Sequence, residues 1–303
     1  KCTLHEIESI NHRFIFLFYL FFKRHIMHTT PQIVFLGGGN MATAIITGMI
    51  NQGGFNPQQV IVVEHNANQR DHLHRTLGVT VFENLETVTH LSPDVWVLAV
   101  KPQSMKVALA ELSPLVKADQ VVLSIAAGLT IATLSEWLQG HNKVVRTMPN
   151  TPALVGQGVT GIYAPLSIVT ENEQVLINQI LSAVGVNVWL QTEAEIDTIA
   201  AISGSGPAYV FYVMEHLIAA ARQLGFDAET AKLLVQNTFS GAVALANASE
   251  EPVSVLRERV TSKGGTTAAA LAVFNAQGID QALIQGTQAA TERARELAVE
   301  LAK

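Results

Sequence analysis

The stretch Ile33 to Ala42, I-V-F-L-G-G-G-N-M-A, sets the reading of this chain: four apolar residues run into three glycines, and a helix-forming segment follows at once. Such a sequence predicts a strand, a tight turn and a helix, in that order. Gly37, Gly39 and Ala42 match G-x-G-x-x-G/A. In that pattern the first glycine permits the sharp turn, the second lets a pyrophosphate approach the backbone, and the small third residue lets helix and strand pack closely. A helix from about Asn40 would turn its free N–H groups and positive dipole end toward the phosphates. Glycine-rich turns are common, so the motif takes its meaning from what surrounds it.

About 20 residues on, where the fingerprint expects an acid, the apolar run Val60 to Val63 ends at Glu64. A carboxylate there would accept hydrogen bonds from a ribose 2′-OH and repel a 2′-phosphate, which favours NADH. The other reading is a solvated acid at a strand end. Arg70 is near enough in sequence to pair with a 2′-phosphate instead. The choice between NADPH and NADH stays open at this point.

Composition narrows the rest. With 303 residues the chain has room for two domains, and 49% hydrophobic with 15% charged residues marks it as globular. A net charge of −6 without a long basic run argues against nucleic acid as a partner. The one cysteine, Cys2, excludes an intramolecular disulfide framework and a thiolate metal cluster, which suits the cytoplasm. The ten histidines suggest no metal site: His72 and His74 would point different ways on a helix, and His216 reads as a core or boundary histidine. Phe14 to Phe22 is apolar throughout but too short to span a bilayer as a helix, and Lys23-Arg24-His25 follows in place of a small-residue cleavage site. Met27 looks like a natural start. Residues 1–26 are therefore read as a non-native or mis-assigned extension without order, rather than a membrane anchor.

From Pro31 to about Leu190 apolar runs alternate with helical patterns, the mark of a parallel sheet with crossover helices. Strands are expected at Val79 to Phe82, Val95 to Val100, Val121 to Ile125, Lys143 to Arg146 and Asn187 to Leu190, and helices at Asn68 to Leu77 and Ser104 to Leu112. Three segments then meet at carboxyl ends of strands, where ligands collect in such sheets: Gly37 to Met41, Ala99 to Pro102, and Ser124 to Gly128. Met148 to Pro152 is too proline-rich for a helix or a central strand. Thr170 to Glu173 and Thr192 to Glu195 read as capping boxes, and after the second the strand patterns stop.

The remainder is helical and rich in alanine: Ile196 to Ile202, Ala208 to Leu224, Ala228 to Ala246 and Gln281 to Ala302. A domain of barely more than about 100 residues is hard pressed to bury so much apolar helix surface, which points to subunit association; a self-contained bundle is the alternative. Ser203-Gly204-Ser205-Gly206-Pro207 is expected to form an exposed turn before a long helix, and Thr261 to Thr267, T-S-K-G-G-T-T, to do the same before Ala268 to Phe274. Backbone N–H groups, hydroxyls and a helix dipole together suit a carboxylate, although an ordinary capped turn has the same sequence. The fold class is α/β: residues 27–191 form a doubly wound, mostly parallel sheet domain, and residues 192–303 an all-α domain.

These segments together resemble the pyrroline-5-carboxylate reductase family, which catalyses the last step of proline biosynthesis. The resemblance runs from Pro31 nearly to the end. It rests on the glycine stretch, L-A-V-K-P (Leu98 to Pro102), A-A-G (Ala126 to Gly128), R-T-M-P-N-T-P (Arg146 to Pro152), S-G-S-G-P-A-Y (Ser203 to Tyr209) and V-T-S-K-G-G-T-T (Val260 to Thr267). It implies a Rossmann domain carrying NADPH or NADH and a helical domain that makes a homodimer, with rings of dimers as a further assembly. Cofactor contacts would fall on Gly37, Gly39, Asn40, Met41, Glu64, Asn84, Ala99, Lys101, Pro102, Ala126 and Ala127; substrate contacts on Ser262, Gly264, Gly265, Thr266 and Thr267, with Thr267 catalytic and no metal. Glu64 departs from the small or polar residue of many NADPH-preferring members, and the extension before Met27 has no family counterpart. A β-hydroxyacid dehydrogenase also joins these two domain types but needs a catalytic lysine in the helical part. Of the candidates, Lys232 falls inside a predicted helix and Lys263 belongs to the loop pattern. A nucleotide sensor without turnover would have no reason to carry Ser262 to Thr267.

Overall fold

The structure, a computed structural model, describes residues 31–165 and 167–302. The expectations for residues 1–26 and for Met27 lie outside them. Strands β1 (Ile33–Leu36), β2 (Val60–Val63), β3 (Thr80–Phe82), β4 (Val95–Leu98), β5 (Val121–Ser124), β6 (Val144–Met148), β7 (Gly158–Tyr163) and β8 (Gly185–Trp189) form one eight-stranded sheet, in the spatial order 3-2-1-4-5-6-7-8. From β3 across to β6 all neighbours are parallel; β7 runs antiparallel to β6, and β8 parallel to β7.

Alternation along β1 explains why this sheet needs cover on both faces. Ile33 and Phe35 enter one core layer, with Ile45, Ile46 and Met49; Val34 and Leu36 enter the other, with Leu109 and Leu112. Each such side chain, fully buried, contributes roughly 1.5–3 kcal/mol. The cover comes from α1 (Asn40–Asn51), α2 (Ala67–Leu77), α3 (Pro102–Leu112), α4 (Ile131–Trp137) and α5 (Glu171–Ser182). Strand order reverses at β1, between β2 and β4, which opens the ligand crevice of a doubly wound sheet beside the glycine turn.

The Thr170/Glu173 capping box forms as read. The second one forms only halfway: Glu195 accepts from the Gln191 and Thr192 N–H groups, but helix α6 (Ala194–Ile199) starts at Glu193 without a side-chain cap. A larger correction concerns residues 203–207. In place of an open turn, Ala200–Gly204 forms a π-helical turn that continues α6 into α7 (Gly206–Gln223). Proline is tolerated in a first helical turn, and neither Gly204 nor Gly206 has positive φ. Gly204 serves close approach instead, since a Cβ on it would lie 2.9 Å from the Met148 methyl carbon.

Beyond α7 the chain continues through α8 (Ala228–Asn247), α9 (Val253–Arg259), α10 (Thr266–Ala276) and α11 (Ile279–Leu301). Gly225 and Gly278 make the turns expected of them, both at positive φ. In the single chain α7, α9, α10 and α11 contain no fully buried residue, and Phe211, Tyr212, Leu233, Phe274 and Leu283 are exposed. His216, expected at a core or boundary, is exposed as well, with its Nδ1 2.8 Å from the Tyr212 carbonyl. No helix among the described residues is long and apolar enough to cross a membrane.

Polar side chains stitch the sheet to α6 and the π-turn. Buried Arg146 on β6 donates to Glu193 at 3.2 Å and Asp197 at 2.9 Å, and Glu193 also accepts the Ile131 N–H that opens α4. Asn150 donates to the Ser203 carbonyl at 2.9 Å and accepts from the Val159 N–H at 2.8 Å.

Candidate active site

The glycine turn is built from three positions with different constraints. Gly37 is buried at φ +101°, its N–H donates to the Val63 carbonyl at 2.8 Å, and a Cβ there would lie 2.8 Å from the Ala99 oxygen. Only glycine fits that conformation without strain. Gly38 is held by its neighbours: its carbonyl accepts from Gln69 Nε2 at 2.6 Å and Thr43 Oγ1 at 3.2 Å, and its N–H donates to Glu64 at 2.8 Å. Gly39 faces open space, with no atom within 4 Å of a would-be Cβ, and caps α1 without any side-chain hydrogen bond. The first N–H groups of α1, beside exposed Asn40 and half-buried Met41, thus keep their hydrogen-bonding capacity. Room for a backbone approach and unpaired helix-end donors fit a dinucleotide pyrophosphate.

Glu64 is nearly buried. Its Oε2 accepts from Gly38 N–H, and its Oε1 accepts from Asn66 N–H at 2.8 Å with His65 Nδ1 at 3.3 Å. The carboxylate is therefore fixed at the turn itself. Arg70, the other candidate, donates to the Glu64 and His65 carbonyls at 2.8 and 2.7 Å and pairs with Glu83 at 3.5 Å. A 2′-phosphate would have to draw its guanidinium away from these partners.

Neighbouring strands bring the other expected residues alongside. Ala99 donates its N–H to the Leu36 carbonyl at 2.8 Å; exposed Lys101 is the N-cap of α3, with Pro102 as its first residue. After β5, Ile125 N–H reaches the Leu98 carbonyl at 3.1 Å, and Ala126 N–H reaches Ser124 Oγ at 3.3 Å, leaving Ala126 buried and Ala127 exposed. Residues 37–41, 99–102 and 126–127 thus share the carboxyl ends of three adjacent strands. Asn84 stands apart beyond β3, where its side chain accepts from the Thr87 N–H and its carbonyl from the Thr87 hydroxyl. Gln69 and Thr43 carry no motif that would single them out; only the folded turn identifies them.

The other candidate segment is the loop before α10. Gly264 lies at φ +73°, and a Cβ on Gly265 would collide with Ser262 Oγ, so the double glycine lets the serine hydroxyl fold over the loop. Gly265 caps α10 without a side-chain hydrogen bond, but its own N–H is engaged by the Ser262 carbonyl at 3.0 Å. The donors left for a ligand are consequently those of the first helical turn, from Thr266 onward, with the Ser262 and Thr267 hydroxyls beside them. Lys232 sits within α8, and Lys263 is exposed on the loop.

A doubly wound sheet with a phosphate-ready glycine turn, followed by a helical half, defines a Rossmann-type NAD(P)-dependent oxidoreductase. Residues 32–128 match the family model described as NADP oxidoreductase coenzyme F420-dependent, and residues 193–297 match pyrroline-5-carboxylate reductase dimerisation. The chain is 43% identical to the pyrroline-5-carboxylate reductase of Pseudomonas aeruginosa over 90% of its own length and 99% of that protein's. Among solved structures, the Coxiella burnetii pyrroline-5-carboxylate reductase superposes with a TM-score of 0.83 at 39% identity, covering 89% of this chain and 99% of that one. The Plasmodium falciparum pyrroline carboxylate reductase with NADP bound superposes with a TM-score of 0.78 at 28% identity, covering 88% and 98%. This chain belongs to the pyrroline-5-carboxylate reductase family.

Proposed function

We propose that the chain reduces 1-pyrroline-5-carboxylate to L-proline with NADH or NADPH. Besides family membership, what supports this reading is the loop of residues 262–267, whose free first-turn N–H groups and neighbouring Ser262 and Thr267 hydroxyls suit a carboxylate. Residues 27–191 are taken as the dinucleotide-binding domain and residues 192–303 as the substrate-binding and dimerisation domain. The exposed apolar helices favour a homodimer through the helical half, with rings of dimers as a further assembly, and the single cysteine favours a cytoplasmic setting.

The substrate explains the sparse acid–base equipment. A cyclic imine nitrogen is itself basic, and once protonated it makes the adjacent carbon electrophilic, so less proton shuttling is asked of the protein. Thr266 and Thr267 N–H groups and the Ser262 hydroxyl hold the carboxylate, and Thr267 directs its hydroxyl to the imine nitrogen. The first turn of α1 and Gly39 hold the pyrophosphate, Glu64 takes the adenosine ribose, and Ala99, Lys101, Pro102, Ala126 and Ala127 line the rest of the cofactor cleft, with Asn84 at its adenine end. When bound, the reduced nicotinamide supplies the hydride. Catalysis is then chiefly orientation, for which effective molarities reach about 10⁵ M and above. The test is NADH and NADPH oxidation with pyrroline-5-carboxylate and, separately, with a short 2-keto acid: turnover with the imine alone is expected. Equal turnover of the keto acid would favour a hydroxyacid dehydrogenase, and binding without turnover a sensor.

A further inference from the structure

Helix α11 is 23 residues long, about 34 Å at 1.5 Å per residue. It lies against α10, which opens with the carboxylate loop, and against α6 and the π-turn. Its last turns reach the other half of the site. A Cβ on Gly128 would lie 2.8 Å from Leu301 Cδ1 and 3.7 Å from Leu297 Cβ, and Leu301 packs against the core cluster that contains Ala126 and Leu129. Residues 126–128 are therefore gripped from two sides. Ser124 Oγ accepts the Ala126 N–H from within the sheet, its own carbonyl being held by Thr147 Oγ1 at 2.9 Å, and Leu301, with the more exposed Leu297 in van der Waals contact beside it, closes over Gly128, which stands at φ +76°.

We propose that Leu297 and Leu301 are positioning residues for the cofactor cleft: the end of the helix paired with α10 fixes the turn of residues 126–128 against the nicotinamide nucleotide. This rests on the reading that Ala126 and Ala127 contact the cofactor. A side chain bearing on Gly128 acts where the turn has its glycine conformational freedom. Close-packed interiors transmit such pressure rather than absorbing it. Shortening these leucines leaves the pyrophosphate donors of α1 untouched and loosens only the far wall of the cleft.

The test is NADH or NADPH affinity of the full-length oligomer without substrate, read from nicotinamide fluorescence, in Leu297→Ala, Leu301→Ala and the double variant. The double variant should weaken cofactor binding about tenfold, equivalent to about 1.4 kcal/mol. The KM for the imine and the oligomeric state should stay unchanged, Leu301→Met should restore binding, and Val299→Ala on the exposed side of the same helix should have no effect. An unchanged cofactor Kd in the folded double variant overturns the proposal. So does a joint loss of cofactor affinity, imine affinity and thermal stability that Leu301→Met does not restore, since that is general loosening. Ala127→Val reports on the underlying reading: unchanged Kd there removes the turn from the cofactor site and the proposal with it, whereas weakened binding there beside an unchanged double variant overturns the proposal alone.

Discussion

Every residue of β1, β2, β4 and β5 is buried within the single chain, whereas four of the helices after residue 205 bury none fully. The central strands have core layers on both faces, though Val186 and Val188 on β8 stay exposed; the helical half carries Phe211, Leu233, Phe274 and Leu283 uncovered. The lesson is a division of tasks. A self-sufficient core holds the glycine turn, while the loop of residues 262–267 leads into helices whose apolar faces stay exposed in the single chain.

The comparison breaks most readily at its uncovered side. Phe211→Asp on α7 or Leu283→Asp on α11 should abolish the oligomer and with it activity, read by light scattering after size-exclusion chromatography; a monodisperse, fully active oligomer would show that these helices are not the interface. Gly37→Ala strikes the rigid side. The left-handed backbone costs roughly 1–2 kcal/mol for a non-glycine residue, and the added carbon meets the Ala99 oxygen, so cofactor affinity should fall by about 10²-fold with a lowered melting temperature. On the loop, Gly265→Ala should change melting little and raise the KM for the imine by about tenfold, because the methyl displaces chiefly the Ser262 hydroxyl, with the Ser262 carbonyl oxygen 3.2 Å away. Mildest is Glu64→Ser, which should shift preference toward NADPH by several-fold; an unchanged ratio of kcat/KM values would mean that the carboxylate serves only Gly38 and Asn66.

The two halves also differ in how far their sequence discloses them. Continuous apolar runs such as Val60–Val63 and Val95–Leu98 announce buried parallel strands, whereas the alanine-rich apolar run Ala268–Phe274 belongs to helix α10. β7 is hidden because Gly158 and Gly161 interrupt its period; Gly161 is there so that Ile199 can sit on the strand, a contact between segments far apart in sequence. The same distance effect hides the π-turn: Ser203 to Pro207 has turn chemistry locally, but Asn150 takes its carbonyl and Met148 fills the space beside Gly204. Of the candidate site, the glycine turn and the 262–267 loop stand out in the sequence because their glycines answer to local backbone geometry. Gln69, Thr43, Arg146 and Leu301 are not, since each acts through a partner that only folding brings near.

What unites the halves is the claim that the loop before α10 supplies the chemistry and the glycine turn only the cofactor. Thr267→Val tests this directly, because it keeps shape and removes one hydroxyl at the opening of α10. NAD(P)H affinity and melting temperature should stay unchanged while turnover of pyrroline-5-carboxylate falls by about 10²-fold, the scale of a lost positioned proton donor. Full turnover with unchanged imine affinity would contradict it.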